Sequence, residues 1–128
     1  AEAELEAAIE VENDLRSEIV TYALQFVGNR YKYGGTNPNT GVDCSGFTSY
    51  VMRHAAEVEL PHSSGGQSRM GRQVSSSEMR PGDIICYSGH VAIYIGGGAI
   101  VHASNERDGI KISSNAAYTT ILAVRRVV

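Results

Sequence analysis

Apolar residues recur along the start of the chain at Leu5, Ile9, Leu15, Ile19, Ala23, Phe26 and Val27, close to the period of a helix packed on one side. The phase slips near Asn13 and Asp14. That slip predicts two helices, the second capped by Asn13, Asp14 or Ser17 and stopped at Gly28, a residue suited to a left-handed cap. From Asn29 to Gly46 the chain turns to Tyr, Gly, Asn and Pro, the composition of an ordered loop. Helical spacing returns with Phe47, Tyr50, Val51, His54, Ala55 and Val58, which places a helix from near Cys44 to before Pro61. Residues 63–70 are polar and suit one short helical turn.

The second half alternates in the manner of strands separated by Gly-rich turns, at 83–87, 90–95, 99–103, 109–113 and 121–128. Arg80-Pro81-Gly82-Asp83 is a turn signal just before the first of them. Helices first and strands afterwards predict an α+β fold, N-terminal helices followed by an antiparallel sheet of about five strands.

A length of 128 residues with 42% hydrophobic content suits one domain that buries roughly two-thirds of its unfolded surface, without a disulfide framework or structural metal. No apolar run approaches the ~20 residues of a membrane span, and the opening AEAELEAAIEVE lacks the basic-then-apolar pattern of an export signal. The net charge of −3 argues against nucleic-acid binding as a whole. Its distribution is uneven: residues 1–18 hold seven acids and one base, Arg16, which leaves the remainder slightly positive, as a solvated mixed-charge surface. The expected division is an acidic helix or linker over 1–16 and a catalytic domain over 17–128.

Cys44 lies in Val42-Asp43-Cys44-Ser45-Gly46, where a Gly-rich loop enters a helix. The first helical turn offers unpaired amides and the positive end of the macrodipole, which favour a thiolate and suit an oxyanion. A cysteine there is a candidate nucleophile, with a small buried hydrophobe as the plainer alternative. A nucleophilic cysteine needs a base. If Gly96-Gly97-Gly98 closes a hairpin centred near residue 96, His90 and His102 lie opposite each other on one face, so one imidazole orients the other. The roles are then Cys44 as nucleophile, His90 as base and His102 as orienter. His54 is read as structural, His62 as a surface loop residue, and Cys86 as core, with a Cys44–Cys86 disulfide as its rival. No metal-ligand or phosphate-loop spacing occurs, so neither metal nor cofactor is expected.

Six segments carry a family resemblance: Tyr31-Lys32-Tyr33-Gly34-Gly35, Val42 to Phe47, Leu60-Pro61, Arg80 to Asp83, Gly89 to Gly96, and Val101-His102-Ala103. Over about residues 18–128 their order and approximate spacing resemble the NlpC-type cysteine peptidases, papain-like bacterial enzymes that cut peptidoglycan stem peptides. The resemblance implies a circularly arranged papain-like α+β fold with Cys44, His90 and His102 in the roles above. It implies cleavage between γ-D-glutamate and the following diamino acid, meso-diaminopimelate or lysine. It also implies that Tyr31, Asp43 and Ser45 line the substrate cleft and bind a free peptide N-terminus, although Asp43 and Ser45 serve equally well as helix caps. The chain departs from the usual pattern at Arg30-Tyr31, at Tyr33 and at His62, where an arginine often follows the Leu-Pro.

Two other functions stay open at this point. One is an N-acetylmuramoyl-L-alanine amidase of the Cys-His type, told apart by product masses. The other is a non-catalytic peptidoglycan-binding module, whose Cys44 would alkylate slowly where an activated thiolate reacts fast. The substrate implies a secreted, extracellular, periplasmic or cell-wall location and a longer protein with further domains upstream.

Overall fold

A computed structural model of the chain describes residues 2–128. The N-terminal segment is one continuous helix, α1, Glu2–Leu24, and not two. The buried stripe runs through Arg16, Ile19 and Ala23, and continuing it backwards at spacings of three and four gives Glu12, Ile9 and Leu5. The apparent phase slip arises because two positions of this stripe, 12 and 16, carry charged side chains. Arg16 accepts burial because every direction it points in supplies an acceptor, beginning with Glu12 one turn earlier at 3.1 Å. After Leu24 the chain tightens into turns and reaches Gly28, whose positive φ and amide bond to the Ile110 carbonyl at 2.8 Å end the segment. Among the described residues no helix is long and apolar enough to cross a membrane.

Helix α2, Cys44–Ala56, starts where expected, with Asp43 as its N-cap. It ends before Glu57, a non-glycine residue in the left-handed region, so the run to Pro61 is extended. A single short turn, α3 (Ser64–Gln67), follows. The segment read as an ordered loop contains a minimal hairpin, β1 (Thr36–Asn37) with β2 (Gly41–Val42).

The main sheet has six antiparallel strands against the five expected. They are β3 (Arg72–Val74), β4 (Ile84–Tyr87), β5 (His90–Gly96), β6 (Ala99–Asn105), β7 (Gly109–Ser113) and β8 (Ala123–Arg126), in spatial order β3-β8-β4-β5-β6-β7. The strand absent from the sequence reading, β3, is three residues at the sheet edge with one buried side chain, Val74, too short to show alternation. The central strands bury consecutive apolar residues, Ile84 to Cys86, Val91 to Ile93 and Ile100 to Val101, because both faces are covered. Ile84, Val91, Ile93 and Val101 pack with Ile19, Phe26, Phe47 and Val51 of the helical side; Ile85, Ala92, Tyr94 and Ile100 pack on the other with Val124 and Ala116.

The β5–β6 hairpin turns about a point one residue later than expected: Ile93 faces Val101 and Tyr94 faces Ile100. His90 and His102 are therefore diagonal neighbours, not directly opposite. A shift of two in register preserves parity, so both imidazoles still lie on one face.

One buried carboxylate ties the ends of this arrangement together. Asp83, fully buried, accepts from Arg16 Nη1 at 3.2 Å and from Arg126 Nε and Nη2 at 2.9 and 2.7 Å, while the Arg80 amide donates at 2.9 Å. Arg16 also donates to the Val128 carbonyl at 2.8 Å, so α1, the turn before β4 and the C-terminal strand meet at one point. Removing the carboxylate strands two buried guanidinium groups. Asp83→Ala is expected to lower stability by about 3–5 kcal/mol, read from the urea midpoint; a loss under about 1 kcal/mol would show that solvent or other acceptors replace it.

Candidate active site

The first turn of α2 is clamped from outside by the loop before it. A side chain on Gly46 would collide with the Gly35 carbonyl, and one on Gly35 with the Gly41 carbonyl, so glycine at both positions lets the hairpin lie directly on the helix start. Asp43 completes the clamp. Its Oδ1 accepts from the Gly46 amide at 2.8 Å and its Oδ2 from the Gly34 amide at 3.0 Å, joining cap and loop through one side chain. Cys44, the next residue, is partly exposed at the mouth of this turn.

The sulfur meets the start of β5. Backbone groups of Val91, Ser45 and Cys44 itself hydrogen-bond toward it and favour the thiolate. Burial opposes them and wins, and the Asp43 carboxylate adds to the opposition, so the thiol is held above its ordinary value of 9.0. The helix start favours the thiolate as expected, and burial outweighs it. That balance removes slow alkylation as a sign of an idle cysteine, because a resting thiol of this kind reacts slowly whatever its function.

Beside Val91, His90 extends its Nε2 to His102 Nδ1 at 2.7 Å, and His102 Nε2 lies 2.8 Å from Ser113 Oγ on β7. Burial lowers the pKa of His90 below the ordinary 6.5, and burial followed by the neighbouring His90 and Lys111 lowers that of His102 to about 4. Both rings are neutral near pH 7. One proton assignment then satisfies the row: His90 Nε2–H donates to His102 Nδ1, and His102 Nε2–H donates to Ser113 Oγ. His90 Nδ1 is left with a free lone pair, which is what a base requires.

Tyr31 stands near Cys44 and Asp43, bridged to Val42 through its backbone; burial, then the proximity of Cys44 and Asp43, raise its hydroxyl pKa. Ser45 is buried, with its hydroxyl 3.4 Å from Asp43 Oδ1. His54 is stacked 3.9 Å from the Tyr50 ring and bonds the Tyr50 carbonyl, a packing role on the outer face of α2. Cys86 is free and buried, its thiol pushed up to about 11 by desolvation. Among the described residues no group of three or more His, Cys, Asp or Glu side chains is placed to hold a metal ion.

A family model described as the NlpC/P60 family matches residues 28–126, a span that includes the whole row from Cys44 to Ser113. The chain belongs to the NlpC/P60 family. The murein DD-endopeptidase/murein LD-carboxypeptidase MepS of Escherichia coli K12 is 38% identical over 110 residues, covering 82% of this chain and 58% of that protein. The gamma-DL-glutamyl hydrolase of Bacillus subtilis is 38% identical over 90 residues, 67% of this chain and 22% of that protein. Among solved structures, the NlpC/p60 domain of the peptidoglycan hydrolase SagA superposes with a TM-score of 0.78 at 29% identity, covering 87% of this chain and 97% of that one. The chain thus spans about half or less of the length of these two curated relatives.

Within this NlpC/P60 domain the structure adds three residues, one that the sequence reading set aside, His62, and two to which it gave no role, Ser113 and Tyr118. His62 is not an isolated surface residue, because its Nε2 lies 2.7 Å from Asp43 Oδ1. Ser113 ends the imidazole row, and Tyr118 stands on the exposed rim, its ring centroid 6.0 Å from that of His102. Ser113 was reachable from the pattern once the β6–β7 register was fixed, since it shares a face with His102 at a two-residue diagonal. Nothing in the sequence pattern points to Tyr118, which a non-repetitive segment carries back over the sheet.

The buried thiol has a direct consequence for reactivity. Alkylation of Cys44 by iodoacetamide, followed by peptide mass spectrometry, is expected to be slow at pH 7 and to climb with pH through 9 without a plateau. A plateau below pH 8 would show that the amides outweigh burial.

Proposed function

We propose that this chain is a cysteine endopeptidase of the bacterial cell wall, cutting peptidoglycan stem peptides between γ-D-glutamate and the following diamino acid, meso-diaminopimelate or lysine. The observation that carries it is Cys44 at the start of α2 meeting the backbone of Val91, the residue after His90, beside the bonded row His90, His102, Ser113 in an NlpC/P60 domain. The name of the SagA domain supports a peptidoglycan substrate, and that of the Bacillus relative supports a γ-glutamyl bond. A second reading, cleavage at the cross-link between stems, is favoured by the Escherichia coli relative's name as a DD-endopeptidase.

In this reading residues 17–128 form the catalytic unit, an upstream part supplies wall attachment, and the work is done outside the cytoplasm. The Cys44 sulfur attacks the scissile carbonyl carbon as its proton passes to His90 Nδ1. The oxyanion sits against the amides at the start of α2, with the Tyr31 hydroxyl as a further donor. Collapse breaks the C–N bond, and His90 returns the proton to the departing amine. The thioester left on Cys44 is hydrolysed by water, whose proton His90 accepts and then gives back to the sulfur. His102 stays neutral throughout. Its Nδ1 takes the hydrogen bond of the His90 imidazolium, while Ser113 fixes the tautomer that makes Nδ1 an acceptor.

Cleavage of defined muropeptides, read by product masses, tests this. The wild type is expected to leave L-Ala-D-Glu on the muramic acid and free the peptide that begins with the diamino acid, whereas a product cut at the cross-link would establish the second reading and an intact stem peptide an amidase. Cys44→Ala is expected to abolish cleavage with the fold retained, and His90→Ala to lower kcat by about 10²–10⁴. Activity of Cys44→Ala would end the mechanism.

The kcat/KM profile follows from the two shifts. His90 must be neutral and its pKa is lowered, so activity persists on acidification to below pH 6.5. Cys44 must hold its proton in the resting pair and its pKa is raised, so the alkaline limb lies above pH 9. An acid limb above 6.5 would show that burial does not control His90.

A further inference from the structure

Asp43 Oδ1, the oxygen that faces His62, has no acceptor site left. It accepts from the Gly46 amide at 2.8 Å and from His62 Nε2 at 2.7 Å, with the Ser45 hydroxyl at 3.4 Å. Asp43 Oδ2 accepts from the Gly34 amide at 3.0 Å. A carboxylate oxygen presents about two lone-pair sites, so the amide and the imidazole fill Oδ1, while Oδ2 holds one donor.

We propose that His62 is a specificity-determining residue that closes Asp43 to a substrate ammonium, so that the cleft takes stem peptides whose N-terminal nitrogen is acylated. This rests on the stem-peptide endopeptidase reading. A free L-Ala amine is a cation that needs a carboxylate partner. At Oδ1 it must displace the imidazole or the Gly46 amide that caps α2, and at Oδ2 it must share the oxygen with the Gly34 amide. An acylated nitrogen is a neutral amide and requires no anionic partner. The substrate class that follows is the stem still joined to its glycan, not the peptide already released from it.

The imidazole is held in position and does not simply rest on the surface. Gln67, fully buried, donates from Nε2 to the Ser45 carbonyl at 2.9 Å and to the Pro61 carbonyl at 2.9 Å, and its Oε1 accepts from Thr48. The residue before His62 is thereby fastened to the helical turn that follows Asp43. Next to the pair lies a cavity of about 270 Å³ to which Thr36, Tyr50, Arg53 and His62 contribute. Hydroxyl, aromatic and guanidinium groups in one hollow match a sugar and its lactyl ether, the groups that continue from an acylated L-Ala nitrogen in the wall.

The test compares one stem tetrapeptide with a free L-Ala amine against the same peptide carrying N-acetylmuramic acid on that nitrogen. The wild type is expected to cleave the muramyl peptide with a kcat/KM at least equal to that of the free peptide. His62→Ala, which uncovers the carboxylate, is expected to shift this ratio tenfold or more toward the free amine through KM. His62→Gln keeps a donor at the Nε2 position and is expected to restore the wild-type ratio. A wild type that prefers the free amine tenfold, or a ratio unmoved in His62→Ala, overturns the proposal. Calorimetric binding of both peptides to Cys44→Ala, alone and combined with His62→Ala, gives the same comparison without turnover. If neither peptide is cleaved, the endopeptidase reading fails while the binding ratio still decides the role of His62.

Discussion

The position of Cys44 depends on a single carboxylate. Helices begin with amides that have no partner inside the helix, and Asp43 satisfies the third of these while binding the hairpin loop at Gly34 and the following loop at His62. Three segments that are distant in sequence thus share one acceptor. The glycines at 35 and 46 are the steric counterpart of this bond, because any side chain at either would push the loop off the helix. With Asp43 in place, the sulfur is aimed at Val91 and the start of β5, and the rest of the row follows from sheet geometry.

The sheet in turn needs burial on both faces to hold that row. His102 is buried in the middle of β6, where an imidazole survives only if both nitrogens find partners. Its neighbours on the same face, Ile100 and Ala92, give no hydrogen bonds, so His90 and Ser113 are structural necessities as much as chemical aids. Satisfying a buried histidine and fixing the tautomer of a base are here the same two bonds. The Asp83 network plays the corresponding part at the opposite end of the polarity scale, since it is a charge buried deeply enough to require two guanidinium partners and an amide.

Much of this was legible in the sequence wherever period and parity were long enough to register. Helix α2, the four strands β4 to β7 and the pairing of His90 with His102 all follow from alternation, and the one-residue error in the turn centre was harmless because it shifted the register by an even number. The division of α1 into two helices failed for a physical reason. Periodicity scores apolar side chains, and the inward-facing stripe passes through Glu12 and the buried Arg16, whose burial is stabilised by an aspartate about seventy residues away. His62 was unreadable for a related reason, since its partner is nineteen residues distant across a loop and no local pattern encodes that contact. Strand β3 and Tyr118 are placed by tertiary packing alone.

In the proposed mechanism burial moves the two reacting groups, Cys44 and His90, apart: it raises the thiol and lowers the imidazole, so the resting pair is neutral and the ion pair lies uphill. In water this would be a disadvantage, because proton transfer from sulfur to nitrogen then costs more. In a partly dry cleft the same burial strengthens every bond that forms as charge develops, from the helix amides to the oxyanion and from His102 to the imidazolium. The free enzyme therefore keeps its cysteine protonated and resistant to oxidation and stray alkylation, since the thiolate is the reactive form. Charge separation is deferred until a carbonyl is present to receive the sulfur's electrons, which couples reactivity to occupancy of the cleft.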